Sequence, residues 1–81
     1  MDPARPQKHS LTLRGHRTSV SLEPAFWQAF REIAAAEGRA LNELAAEIDA
    51  ARGTECGLAS AIRLHVLNWY RSRDGSVAER P

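Results

Sequence analysis

The chain has 81 residues, a formal net charge of +1 and a single cysteine, Cys56. That length allows one small domain at most, and one that is short for a self-sufficient core, so a disulfide, a metal or a partner chain would ordinarily supplement it. One cysteine excludes an internal disulfide and suits a reducing, cytoplasmic setting, and no apolar run has the length of a membrane span or an export signal. His9, His16 and His65 are scattered without ligand spacing, so no metal and no cofactor are expected. Oligomerisation remains as the source of extra stability. Charge is unevenly spread: Met1 to Glu23 holds four Lys/Arg against two acids, whereas Pro24 to Glu55 holds three against six.

In chain order, residues 1–9, "MDPARPQKH", combine two prolines with little apolar mass and read as a flexible arm. The stretch "SLTLRGHRTSVSLE" then alternates polar and apolar, the period of a half-buried strand. Its phase breaks once, since Leu11 and Leu13 are odd-numbered and Val20 and Leu22 even. A bulge at Gly15 would repair this, and so would a two-residue hairpin with Gly15-His16 at its tip in a type II′ turn. In that hairpin Leu13 faces Thr18 and Leu11 faces Val20. Its other face carries Thr12, Arg14, Arg17, Ser19 and Ser21.

Pro24 suits the first position of a helix over about 24 to 37, where Phe26, Trp27, Phe30, Ile33 and Ala34 form one stripe and Gly38 supplies the stop. A second helix carries Leu41, Leu44, Ala45 and Ile48 and closes at Gly53, followed by a "GTECG" loop. A third, from Leu58 to about Ser72, has apolar positions around too much of its circumference for one core. It is expected to be buried on two sides, as at a subunit interface. Residues 73–81 read as a frayed tail, leaving 10–72 as the ordered domain.

Nothing in the sequence has the spacing of a catalytic nucleophile and base, and no glycine-rich phosphate loop occurs, so the chain is not expected to be an enzyme. Glu43 and Glu47, one helical turn apart, read as a solvated face. Cys56 lacks a basic neighbour and reads as incidental. His65 reads as a satisfied histidine at an interface. The remaining chemistry belongs to the strand: Arg17, Ser19 and Ser21 on one face suit the DNA major groove, which admits a two-stranded ribbon. Such a strand needs a pairing partner, and two chains related by a two-fold axis supply one.

The stretch "RTSVSLEPAFWQAFREIAAAEGRALNELAAEI" resembles the ribbon–helix–helix family of dimeric DNA-binding proteins. Within it, "GHRTSVSLEPAFW" is similar to a small bacterial subgroup of unassigned role. The resemblance spans roughly residues 10 to 72. It implies a mainly α fold with a short N-terminal β-ribbon, as an intertwined homodimer with an extra third helix and scope for higher assembly through that helix. By position it places Arg17, Ser19 and Ser21 on the bases, with Thr18, Val20 and Leu22 inward. It also implies a phosphate anchored on the N-terminus of the second helix. "GRALNEL" resembles that anchor and puts Arg39, Ala40, Leu41 and Asn42 at the DNA backbone, with Arg14 and His16. "LASAIRLHVLNWY" resembles the second helix equally, in which case Leu58 to Ser60 open the anchoring helix. Val20, Leu22, Phe26, Phe30, Leu44, Ile48, Ile62, Val66 and Trp69 are the expected dimer core.

The expected partner is double-stranded DNA, bound by a cytoplasmic transcriptional repressor, with no membrane association. The alternative is a protein-interaction module, antitoxin-like or an adaptor, that keeps the dimeric fold without specific DNA binding. The near-neutral charge and acidic middle motivate that alternative.

Overall fold

The computed structural model describes residues 4–53 and 56–73. The polypeptide begins with two strands, β1 (Gln7–Leu13) and β2 (His16–Leu22), paired antiparallel. Three helices follow, α1 (Pro24–Ala36), α2 (Leu41–Ala51) and α3 (Leu58–Arg73). The phase break in the sequence is thus a hairpin, not a bulge. Its tip is Arg14-Gly15, one residue earlier than the Gly15-His16 expected. Leu13 therefore pairs with His16, Leu11 with Thr18 and His9 with Val20.

Turn geometry explains the difference. Arg14 (φ 53°) and Gly15 (φ 86°) both occupy the left-handed region, as a type I′ turn requires at its two central positions. That turn matches the right-handed twist of the strands and accepts glycine second. The expected type II′ turn would have placed Gly15 first. The parity of the two strands is the same in either register, so Leu11, Leu13, Val20 and Leu22 share one face and are buried. Thr18 lies on that same face but is exposed. β1 also starts earlier than expected: Gln7, Lys8 and His9 belong to it, so the stretch read as an arm over 1–9 is strand from residue 7. His9 is held there by its ring, which stacks on Trp27 at 3.8 Å with the planes 3° apart. The tail expected over 73–81 lies outside the described residues from residue 74 onward, and α3 includes Arg73.

Pro24 opens α1 without needing an N–H, and the Trp27 N–H donates to the Glu23 carbonyl in the first turn. At the other end Gly38 (φ 66°) adopts the left-handed conformation. Its N–H donates to the Ala35 carbonyl while the Arg39 N–H donates to Ala34, the paired bonds of a Schellman cap. The chain reverses within four residues into α2.

Phe30 and Ile33 from α1, Leu44 and Ala45 from α2, and Ile62 from α3 meet the hairpin's Leu22 with no side-chain exposure. α2 packs along β1 and α3 along β2, so the two helices support opposite sides of the ribbon. α3 runs alongside α1 in the same sense. Arg63 reaches Glu23 at the start of α1, and the Trp69 indole N–H donates to Glu37 beyond its end. Both apolar sides of α3 are visible: Ile62 and Val66 point inward, while Leu64 and Leu67 are 55% and 49% exposed.

Two measurements test this packing. Phe30→Ala removes a fully buried ring and is expected to cost about 3–5 kcal/mol, read from the urea midpoint at unchanged m-value. The second concerns pH. Arg63 donates from Nε and one terminal nitrogen to the two Glu23 carboxylate oxygens at 2.9 and 3.1 Å, and these bonds lower the Glu23 pKa below the usual glutamate range. The folded pKa is depressed, so this contribution is present above the unfolded glutamate pKa and is lost as pH falls through the folded value. The melting temperature of Arg63→Gln is expected to lie below that of the native chain at pH 7, with the gap closing towards pH 3. A gap that stays constant over that range would contradict the assignment.

Candidate nucleic-acid interface

Because β1 and β2 close on a two-residue turn, the pair Leu13–His16 exchanges hydrogen bonds, and so do alternate pairs from it. The intervening pairs, Thr12–Arg17, Ser10–Ser19 and Lys8–Ser21, put their side chains on the face opposite the core. All six are exposed. Arg17, Ser19 and Ser21 thus lie together on β2 as expected, and β1 adds a parallel row of Lys8, Ser10 and Thr12. Over residues 4–22 the only formally charged side chains are Arg5, Lys8, Arg14 and Arg17, so the outer face is basic and free of carboxylates.

The same pattern directs the backbone groups of the six residues to the outer edges of the hairpin. On the β1 edge the Thr12 N–H donates to Asn42 Oδ1 at 3.2 Å, which brings the first turn of α2 against that strand. On the β2 edge, Arg17, Ser19 and Ser21 meet no further strand, since the sheet contains two strands among the described residues.

Of the residues expected at the DNA backbone, Arg14, Arg39 and Asn42 surround one shallow groove with Thr12 and the acids Glu43 and Glu47. Ala40 caps α2 through its backbone alone, so no side chain occupies the amides of Leu41, Asn42 and Glu43 at the helix start. Arg39 is not an unengaged cation there. Its guanidinium pairs with Glu47 and, at 3.5 Å, with Glu37, and these partners raise its pKa further. His16 stands apart from this group: it lines a second groove with Thr18, Ser19, Asp49, Arg52 and Leu58, the first residue of α3. Both helix N-termini therefore border the hairpin, α2 on its β1 side and α3 beneath Thr18 and Ser19.

The nine residues expected in a dimer core all belong to the core of the single chain or pack against it. Val20, Leu22, Phe30, Leu44, Ile48, Ile62 and Val66 are buried, and Phe26 and Trp69 pack partly exposed against them. His65 departs from its expectation, since its Nε2 is buried without a hydrogen-bond partner. It shares a depression between α2 and α3 with Cys56 and Leu64. Arg52, on the same depression, is engaged with Asp49 and with the Cys56 carbonyl. Among the described residues no three His, Cys, Asp or Glu gather as a metal-binding group.

Residues 6–70 match the family model of the ribbon-helix-helix domain. The chain belongs to the ribbon–helix–helix family. That assignment covers the hairpin, α1, α2 and α3 as far as Tyr70, and the family is generally one of DNA-binding proteins that act as dimers. No curated protein and no solved structure matches the chain. Of the β1 row, Thr12 was on the outer face read from the sequence, whereas Lys8 and Ser10 were not. The available signal was the alternation itself, which continues back through Lys8 and Ser10 once Pro6 is taken as the strand's boundary.

A substitution at Arg14 tests a folding role against a binding role. Asparagine is preferred over arginine at the first central position of a type I′ turn. Arg14→Asn is expected to raise the melting temperature while weakening duplex DNA binding; a variant that loses both would place Arg14 in folding alone.

Proposed function

We propose that the protein is a homodimeric, sequence-specific DNA-binding transcriptional regulator, a cytoplasmic repressor that reads the major groove with its β-ribbon. The observation that carries this reading is the acid-free outer face of the hairpin, where Arg17, Ser19 and Ser21 are exposed together on β2. In the groove an arginine donates in a fork to guanine O6 and N7, and a serine hydroxyl bonds base edges of several kinds. Short serines give weaker discrimination than amide side chains, so the preferred site is defined chiefly through Arg17.

The open edge of β2 supports assembly through that strand. Unpaired edges invite a second strand, and a two-fold axis would join the β2 strands of two copies antiparallel. α3 lies on the β2 side of the molecule, so the same axis would bring together the outward stripes of Leu64 and Leu67. The amides at the start of α2, beside Arg14, Asn42 and Thr12, would then take a DNA phosphate.

A second reading is a protein-interaction module. It draws on the exposed carboxylates Glu32, Glu37, Glu43 and Glu47 of α1 and its continuation into α2. Duplex binding whose affinity is insensitive to salt, or absent, would favour it over the first.

Light scattering at micromolar concentration is expected to return twice the 9.0 kDa chain mass. A monomer would remove the two-fold ribbon. Replacing Arg17 with Ala is expected to cost about 1–3 kcal/mol at the preferred site and to relax base preference there. Unchanged affinity and preference would take Arg17 out of base reading.

A further inference from the structure

We propose that β1, the outer strand of the hairpin, grips the DNA backbone, with Lys8 as a phosphate-contacting residue on each side of the base-reading strands. This rests on the DNA-binding, two-fold reading above and adds to it a division of labour between the two strands.

Strand order decides which strand meets the groove. In a dimer joined at the open β2 edges, β2 and its mate are central and β1 is outermost. The alternative, joining at β1, meets the side chain of Asn42, which holds the Thr12 N–H, and α2 packed along that strand. Strands lie about 4.8 Å apart, so the two β1 axes of a four-stranded sheet are about 14 Å apart. The major groove is about 12 Å wide and accommodates two strands. The central β2 pair fits between the walls, and each β1 lies above a wall, which is a line of phosphates.

Residue chemistry follows the same division. β2 presents the forked donor Arg17 to the groove, whereas β1 presents Lys8, Ser10 and Thr12 on the same outward face. Lysine is a compact charge with three donors, suited to phosphate oxygens rather than to a bidentate base edge. Serine and threonine hydroxyls donate to phosphate as well. Lys8 pairs across from Ser21, at the end of the hairpin remote from Arg14, so the two cations would hold the backbone at opposite ends of one strand. The start of α2, with its unoccupied amides, lies on this β1 side too.

The test is the salt dependence of duplex binding by the full chain, for the preferred site and for an unrelated duplex. Each neutralised phosphate contributes about 0.9 to the slope of log K against log salt, so Lys8→Ala, with two copies per dimer, is expected to lower the slope by about 2. The affinity should fall by the same factor on both duplexes, and Lys8→Arg should restore it. Arg31→Ala, which removes an exposed charge from α1, should leave the slope unchanged. An unaltered slope in Lys8→Ala overturns the proposal while leaving the DNA-binding reading intact. So does a loss confined to the preferred duplex, or an equal effect of Arg31→Ala. If the native chain shows no salt-sensitive duplex binding, both fall together.

Discussion

The two-residue turn at Arg14-Gly15 is the constraint on which the rest of the molecule depends. With one residue more or fewer, every side chain of β2 would exchange faces relative to β1. Val20 and Leu22 would then point to solvent and Arg17, Ser19 and Ser21 would point at the helices. The turn also fixes which backbone groups are satisfied within the hairpin and which are presented at its edges. One local conformation, two consecutive residues in the left-handed region, therefore decides the composition of the core, of the outer face and of the open edge. Arginine has no intrinsic preference for that conformation, so its presence at the tip is a cost that the favourable strand twist and Gly15 offset.

The helices convert that ribbon into a platform. A two-stranded hairpin is marginal alone in water, and here its apolar face is closed by residues from all three helices. The part-buried fork between Glu23 and Arg63 then ties α3 to the junction at which β2 becomes α1. That junction carries no side-chain cap of its own, since Glu23 occupies the N-cap position and points its carboxylate at Arg63. Position along α3 is set a second time at the far end by Trp69 on Glu37. Rigid attachment at both ends suits a helix whose outward side, with Leu64 and Leu67, is about half exposed among the described residues.

Helices were the most legible part of the sequence, for physical reasons that differ between them. α1 was bracketed by Pro24 and Gly38, residues whose backbone preferences leave little choice, and its observed range ends one residue short of that read from pattern. Parity of the strands was legible because burial enforces it. Register was not, because a tip at Gly15-His16 and a tip at Arg14-Gly15 bury the same four residues. The two differ only in turn type, and arginine gives no signal for a left-handed conformation. The start of β1 was hidden by Pro3 and Pro6, which mark a boundary but suggested a longer arm. What holds Gln7 to His9 in the sheet includes a tertiary contact, His9 on Trp27, and periodicity carries no information about that. Lys8 was accordingly read as part of the arm rather than of the outer face, although the alternation extends back to it. The pairing of Arg39 with Glu47 also depends on how the α1–α2 turn closes, which spacing alone does not reveal.

Overall charge conceals how the molecule would approach a polyanion. Eleven Lys and Arg nearly balance ten acids across the chain, so net charge predicts no attraction. The hairpin, however, has no acids between residues 4 and 22, while the exposed carboxylates lie on α1 and α2, with Glu43 and Glu47 bordering the groove beside Thr12 and Arg14. Such a distribution acts within about a Debye length to favour the ribbon over the acidic face of α1 as the side that meets phosphate. The acids of α1 and of the α2 flank weaken non-specific adhesion on those faces, whereas α3 carries Arg63, Arg71 and Arg73 and no acid. The arrangement also explains why Arg39 can sit beside the α2 N-terminus without dominating it. Glu37 and Glu47 hold its charge locally, and the backbone amides and Arg14 are left as the attractive groups at that end of the strand. Orientation, in this chain, comes from where the acids are absent rather than from an excess of basic residues.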